Sequence, residues 1–76
     1  MRIYLGGHLD YYNPQQGSWM DIEQDQPIHL RELLDNIGIP LAEVQITVIN
    51  GNVEELHESM VSNLDVVKLF SAVGGG

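Results

Sequence analysis

The chain has 76 residues, 11 acidic against 3 basic side chains for a formal net charge of -8, and no cysteine. A chain of this size makes one small domain, which buries only about 60 to 65% of the surface its unfolded form exposes. It cannot supply a thiol nucleophile, a disulfide framework, iron-sulfur ligation or a thiolate zinc site, and its acidic balance repels phosphate backbones and anionic lipids, so no nucleic acid and no membrane is expected as a partner while a basic protein face is favoured.

Residues 2–5 alternate, with Ile3 and Leu5 on one face and Arg2 and Tyr4 on the other, the period-two pattern of a half-buried strand. Residues 11–17 gather turn formers, Asn13, Pro14 and Gly17 among them, and read as the end of a hairpin. The return strand covers residues 18–23, with Met20 and Ile22 on one face and Trp19, Asp21 and Glu23 on the other. Between positions 28 and 37, Leu30, Leu33, Leu34 and Ile37 fall at i, i+3, i+4 and i+7, the apolar stripe of a helix. Pro27 is expected at its first position and Asp25 near its positive end, with Gly38 as its left-handed stop and Pro40 beyond.

Residues 44–49 are β-branched and alternating, with Val44, Ile46 and Val48 expected inward, and run into the tight-turn dipeptide Asn50-Gly51. A brief strand and then irregular structure are expected over residues 52–63, where Asn52 and Glu55 also have the spacing of a helix cap. The last strand, residues 66–70, places Val67 and Leu69 on one face and Val66, Lys68 and Phe70 on the other. This element order predicts an α+β chain of the β-grasp (ubiquitin-like) plan, a mixed sheet of four or five strands packed on one main helix. The domain is expected over residues 1–70 and a flexible glycine tail over 71–76. A ferredoxin-like plan needs a helix directly after the first strand, where Gly6, Gly7, Asn13, Pro14 and Gly17 offer no helical period.

Three glycines after a strand carry no packing value and are costly to order, and on an arbitrary domain they are a frayed end. Six residues counted from Ser71 nevertheless reach about 20 Å, far enough to enter another protein's active site. Without Cβ atoms, Gly75 and Gly76 can thread a narrow channel and present an unhindered carboxylate to a nucleotide α-phosphate. Such a tail is a substrate and not a catalyst.

The run Leu64-Asp65-Val66-Val67-Lys68-Leu69-Phe70-Ser71-Ala72-Val73-Gly74-Gly75-Gly76, with Leu33-Leu34, Ile37-Gly38-Ile39-Pro40 and Ile49-Asn50-Gly51 upstream, resembles the MoaD/ThiS family of ubiquitin-like sulfur-carrier proteins over nearly the whole chain. The resemblance implies that an E1-like adenylyltransferase of the MoeB/ThiF type adenylates Gly76. It further implies that a sulfur donor protein converts the adenylate to a thiocarboxylate, and that the sulfur passes to an acceptor in molybdopterin or thiamine thiazole biosynthesis, with a synthase large subunit as a further partner. Gly75 and Gly74 would be the threading segment. The chain would bind no permanent cofactor, ATP being used by the activating partner, and would not itself be an enzyme. Leu64 stands where family members commonly have Gly, and Ser71 and Ala72 stand where molybdopterin-synthase small subunits often have prolines. The ending looks closer to the thiazole carriers and the long Gly6 to Gly17 hairpin closer to the MoaD side, so both pathways stay open.

Alternation puts Tyr4, Val66 and Phe70 outward on neighbouring strands, where they are expected to form an apolar docking patch near the tail, the alternative being scattered surface hydrophobes. His8, His29 and His57 share no metal-ligand spacing and no metal is expected, while Glu54, Glu55 and Glu58 form a solvated acidic face or meet a basic partner. A short apolar stretch before Gly6 is not a signal peptide, and a reducing cytoplasm fits a cysteine-free chain. Two further readings remain: a ubiquitin-like modifier conjugated to lysines, for which Lys68 is the one lysine of the chain itself, and an interaction module with an inert tail.

Overall fold

The structure, a computed structural model, describes residues 1–72. Five strands form one mixed sheet: β1 (Arg2–Gly6), β2 (Trp19–Asp21), β4 (Val44–Ile49), β5 (Asn52–Glu54) and β7 (Val66–Ser71), in the order β2-β1-β7-β4-β5. β3 (Ile28–His29) and β6 (Met60–Val61) form a separate two-stranded ladder beside α1 (Leu30–Ile37). The chain is therefore α+β, with β7 at the centre of the sheet, parallel to β1 and antiparallel to β4. Three 3₁₀ turns, Leu9–Tyr12, Leu41–Glu43 and Leu56–Glu58, fill the connections.

One face of the sheet presents Ile3, Leu5, Met20, Val67 and Leu69, all essentially inaccessible, to Leu30, Leu33 and Leu34 of the helix. Leu9, Ile39, Leu56 and Val61 close the margins of this core. Burying such aliphatic side chains contributes about 1.5 to 3 kcal/mol each, and this apolar face fixes the register of the strands.

The helix stops as expected at Gly38, whose φ of 99° lets its N–H and that of Ile39 turn back onto the carbonyl of Leu34. Its start differs. Ile28 and His29 pair with Val61 and Met60, and the Leu30 N–H donates to the Ser59 carbonyl, so the helix begins at Leu30. Pro27 is not in its first turn, and the acid there is Glu32 rather than Asp25. A tertiary ladder has taken the first two residues of the expected helical segment.

In β4 the expected face is overturned beyond Val44. A bulge lies between Val44 and Ile46 against β7, and from there onward the strand faces the opposite way. Thr47 is buried at 4% exposure and Ile49 packs on the core, while Ile46 stands 48% exposed. Val48 lies on the outer face with Ile46. The hairpin to β5 is the expected two-residue turn, with positive φ at both Asn50 and Gly51. The return strand β2 is shorter than expected, and the segment before it holds a 3₁₀ turn with Leu9 buried.

Candidate functional site

The outer face of the sheet brings Tyr4 and Phe70 together as alternation predicts, with Val66 set apart from them and Trp19 added. Tyr4 and Phe70 meet across β1 and β7 with ring centroids 5.8 Å apart. On the other side of Tyr4 the Trp19 ring lies 5.1 Å away, and the Arg2 guanidinium stacks 4.4 Å above Trp19 while reaching Asp21 at 3.7 Å. Val66 shares the face but sits opposite Arg2, four residues and about 13 Å along the strand from Phe70. It marks the far end of the patch rather than its neighbourhood to the tail. Trp19 was legible as an outward residue but not as a member of the cluster, because only the β1-β2 register, Tyr4 against Trp19, brings it there. Ile46, Val48 and Val53 extend the apolar face on β4 and β5, and the bulge hid the first two from the alternation pattern.

Lys68 stands exposed within this face, opposite Tyr4 on one side and Val48 on the other, and makes no ion pair among the described residues. Two of the three basic side chains of an acidic chain, Arg2 and Lys68, therefore lie on the outer face of the sheet beside this aromatic cluster.

Where β7 ends, two glycines make room for it. A Cβ on Gly6 would lie 2.7 Å from Phe70 Cδ1 and 3.1 Å from Tyr4 Cε2, so the aromatic pair is closed down over bare backbone. Gly7 has φ +65°, and a Cβ there would collide with Ser71 Oγ. The His8 N–H donates to that same Oγ at 3.0 Å. The Gly6-Gly7 pair, which lacks the spacing of a phosphate cradle, thus has a structural use at the root of the tail. β7 runs through Ser71, one residue past the expected end of the domain. The sites expected at Gly74, Gly75 and Gly76 lie outside the described residues.

Among the described residues no group of three His, Asp or Glu side chains could hold a metal ion, and no helix is long and apolar enough to cross a membrane. His29 precedes the helix as its cap position and His57 lies in the last 3₁₀ turn, each far along the chain from the tail root that His8 joins. No family model matches the sequence, and no curated protein matches it.

Proposed function

We propose that the chain is a β-grasp, ubiquitin-like sulfur carrier of the MoaD/ThiS kind, whose Gly76 carboxylate is activated by an adenylating partner and then carries sulfur. The observation that supports this most is where the last strand stands. β7 occupies the centre of the sheet, parallel to β1, and its C-terminal end emerges beside the Tyr4, Trp19 and Phe70 cluster. The sequence then continues Val73-Gly74-Gly75-Gly76. In this reading the docking face lies beside the point from which the sequence continues into the glycines.

In this reading the Gly76 carboxylate attacks the α-phosphate of ATP in the partner's site, giving an acyl adenylate and pyrophosphate. A sulfide equivalent delivered by a donor protein displaces AMP and leaves the thiocarboxylate. The chain contributes no acid, base or nucleophile besides its own carboxylate. It supplies the docking energy through the aromatic cluster and the reach through the glycines.

Intact mass of the protein recovered from its native cells under thiocarboxylate-preserving conditions tests this. A species heavier by the difference between sulfur and oxygen, mapped to the peptide ending at Gly76, is the expected result. Only unmodified protein together with conjugates to other chains would favour protein modification instead, and neither species under sulfur-demanding growth would leave the tail without a chemical role.

A further inference from the structure

We propose that the Gly7-His8 turn is a positioning device that fixes the direction in which the chain leaves β7. Ser71 is the residue it grips, and Gly7, through its missing Cβ, is the residue that lets Ser71 in. The purpose assigned to the device rests on the activated-tail reading; its geometry does not.

Up to Phe70 the strand β7 is held on both sides, by β1 and by β4. The partner of Phe70 on β1 is Gly6, the last residue of that strand, so the ladder on that side ends there. Ser71 is still paired with Val44 of β4. On the side that β1 has vacated, the Ser71 hydroxyl accepts the His8 N–H at 3.0 Å, and a side-chain bond takes over where the backbone ladder stops. The positive φ of Gly7 turns the chain between Gly6 and His8, and the lack of a Cβ gives Ser71 Oγ its place.

The same loop is tied down at its far end. The Tyr12 hydroxyl donates to the Glu43 carboxylate at 2.6 Å, and Glu43 immediately precedes Val44, the strand partner of Ser71. A shallow groove of about 190 Å³ remains between the two ties, lined by His8, Ala42, Glu43, Ser71 and Ala72. The root of the tail is therefore bracketed by two loops that are themselves joined. Gly76 lies five residues beyond Ser71, and each residue that is free to rotate widens the volume its carboxylate must search before meeting a nucleotide. Holding the root narrows that search without any contact to the reacting atoms, which makes Ser71 and Gly7 positioning residues.

The test compares wild type with Ser71→Ala and Gly7→Ala, singly and together. In ¹⁵N-labelled protein, the heteronuclear NOE and residual dipolar coupling of Ala72 should fall in Ser71→Ala while the amides of β1 and β4 keep their values. Unchanged Ala72 values would overturn the proposal. Gly7→Ala should displace Ser71, and adding Ser71→Ala should remove its closest contact, that with Oγ, while the strain of the positive φ stays, so the two substitutions are non-additive in the Ala72 signal; strict additivity would also overturn it. ATP-pyrophosphate exchange with an adenylating enzyme purified from the same cells gives the second readout. Ser71→Ala should raise KM for the carrier about fivefold, the equivalent of one neutral hydrogen bond, with kcat unchanged. Equal KM values for wild type and variant would refute positioning while leaving activation intact. No exchange with wild type, together with a loosened Ala72, would instead remove the activated-tail reading and keep the geometric device.

Discussion

The Asn50 side chain bridges the turn after β4 to Asp65, donating its amide to Asp65 Oδ1 at 2.9 Å, while its own Oδ1 accepts the Val66 N–H at 2.9 Å. Asp65 Oδ2 in turn accepts the Ser62 N–H at 2.8 Å, so one carboxylate joins the Asn50-Gly51 turn to the loop that opens the central strand. Asp65→Ala removes both of these contacts and a longer one at 3.5 Å from the Ser62 hydroxyl. Its expected cost is about 1 to 2 kcal/mol, at the lower end for bonds to a charged group because the pair is partly solvated. Urea unfolding should show a lower midpoint at unchanged slope. Midpoints equal within error would mean that water replaces the bridge without loss.

Phe70 and Trp19 both lean on Tyr4, so the single tryptophan reports on the aromatic cluster proposed to dock the activating enzyme. Phe70→Ala should cost about 1 to 2 kcal/mol of stability, less than a fully buried aromatic, because the ring is half-buried. Its effect on association with the activating enzyme should be larger, about 2 kcal/mol or some thirtyfold in Kd, as for an aromatic at the centre of an interface. Trp19 emission should shift to shorter wavelength on binding. Titration of both proteins with the activating enzyme checks this, and equal affinities would move the docking surface away from β1 and β7.

The bulge in β4 separates two residues that alternation treats alike. Ile46→Thr should cost less than about 0.5 kcal/mol, since the side chain is already half in water. Leu69→Ala, at a fully buried position opposite Thr47, should cost about 2 to 5 kcal/mol. Thermal unfolding of both variants decides it; a large loss at Ile46 would mean that the strand keeps its regular face toward the helix.

The elements that the sequence discloses are those in which a local pattern and the tertiary environment agree. Ile3 and Leu5, Val67 and Leu69, and the Leu30-Leu33-Leu34 stripe each meet the core on the face their periodicity selects. The turn at Asn50-Gly51 and the stop at Gly38 were legible because each needs positive φ. Where long-range pairing decides, local pattern fails. Ile28 falls inside the expected helical segment yet pairs with Val61, a partner that no window around residue 28 contains. The bulge at β4 is set by β7, so Ile46 exchanged places with Thr47 against the expectation of hydrophobicity alone. In the candidate site, Tyr4 and Phe70 followed from strand adjacency, whereas Trp19 and the grip of Gly7 and His8 on Ser71 required a register and a loop path that composition does not encode.

The Tyr12 to Glu43 bond gives the tail root an alkaline limit. The hydrogen bond to Glu43 raises the Tyr12 pKa above its ordinary value of 10.0, with desolvation and the negative charges of Glu43 and Tyr11 adding in the same direction. A phenol whose pKa is higher folded than unfolded binds its proton more tightly in the native state. Its contribution to stability is therefore fully present below the unfolded value, and is lost as pH rises through the folded one. Stability at neutral pH should be insensitive to this group, and the loss should begin only above about pH 10. Glu43→Gln leaves an acceptor but removes the charge, so the Tyr12 ring should titrate closer to 10.0, as followed by NMR of its ring protons. Because Glu43 also borders the groove beside Ser71, the Ala72 methyl resonance should respond in the same alkaline window in wild type. A Tyr12 titration unaffected by Glu43→Gln would show that the two side chains do not share the proton in solution, and would leave the His8 bond to Ser71 as the hydrogen bond that holds this loop at the end of β7.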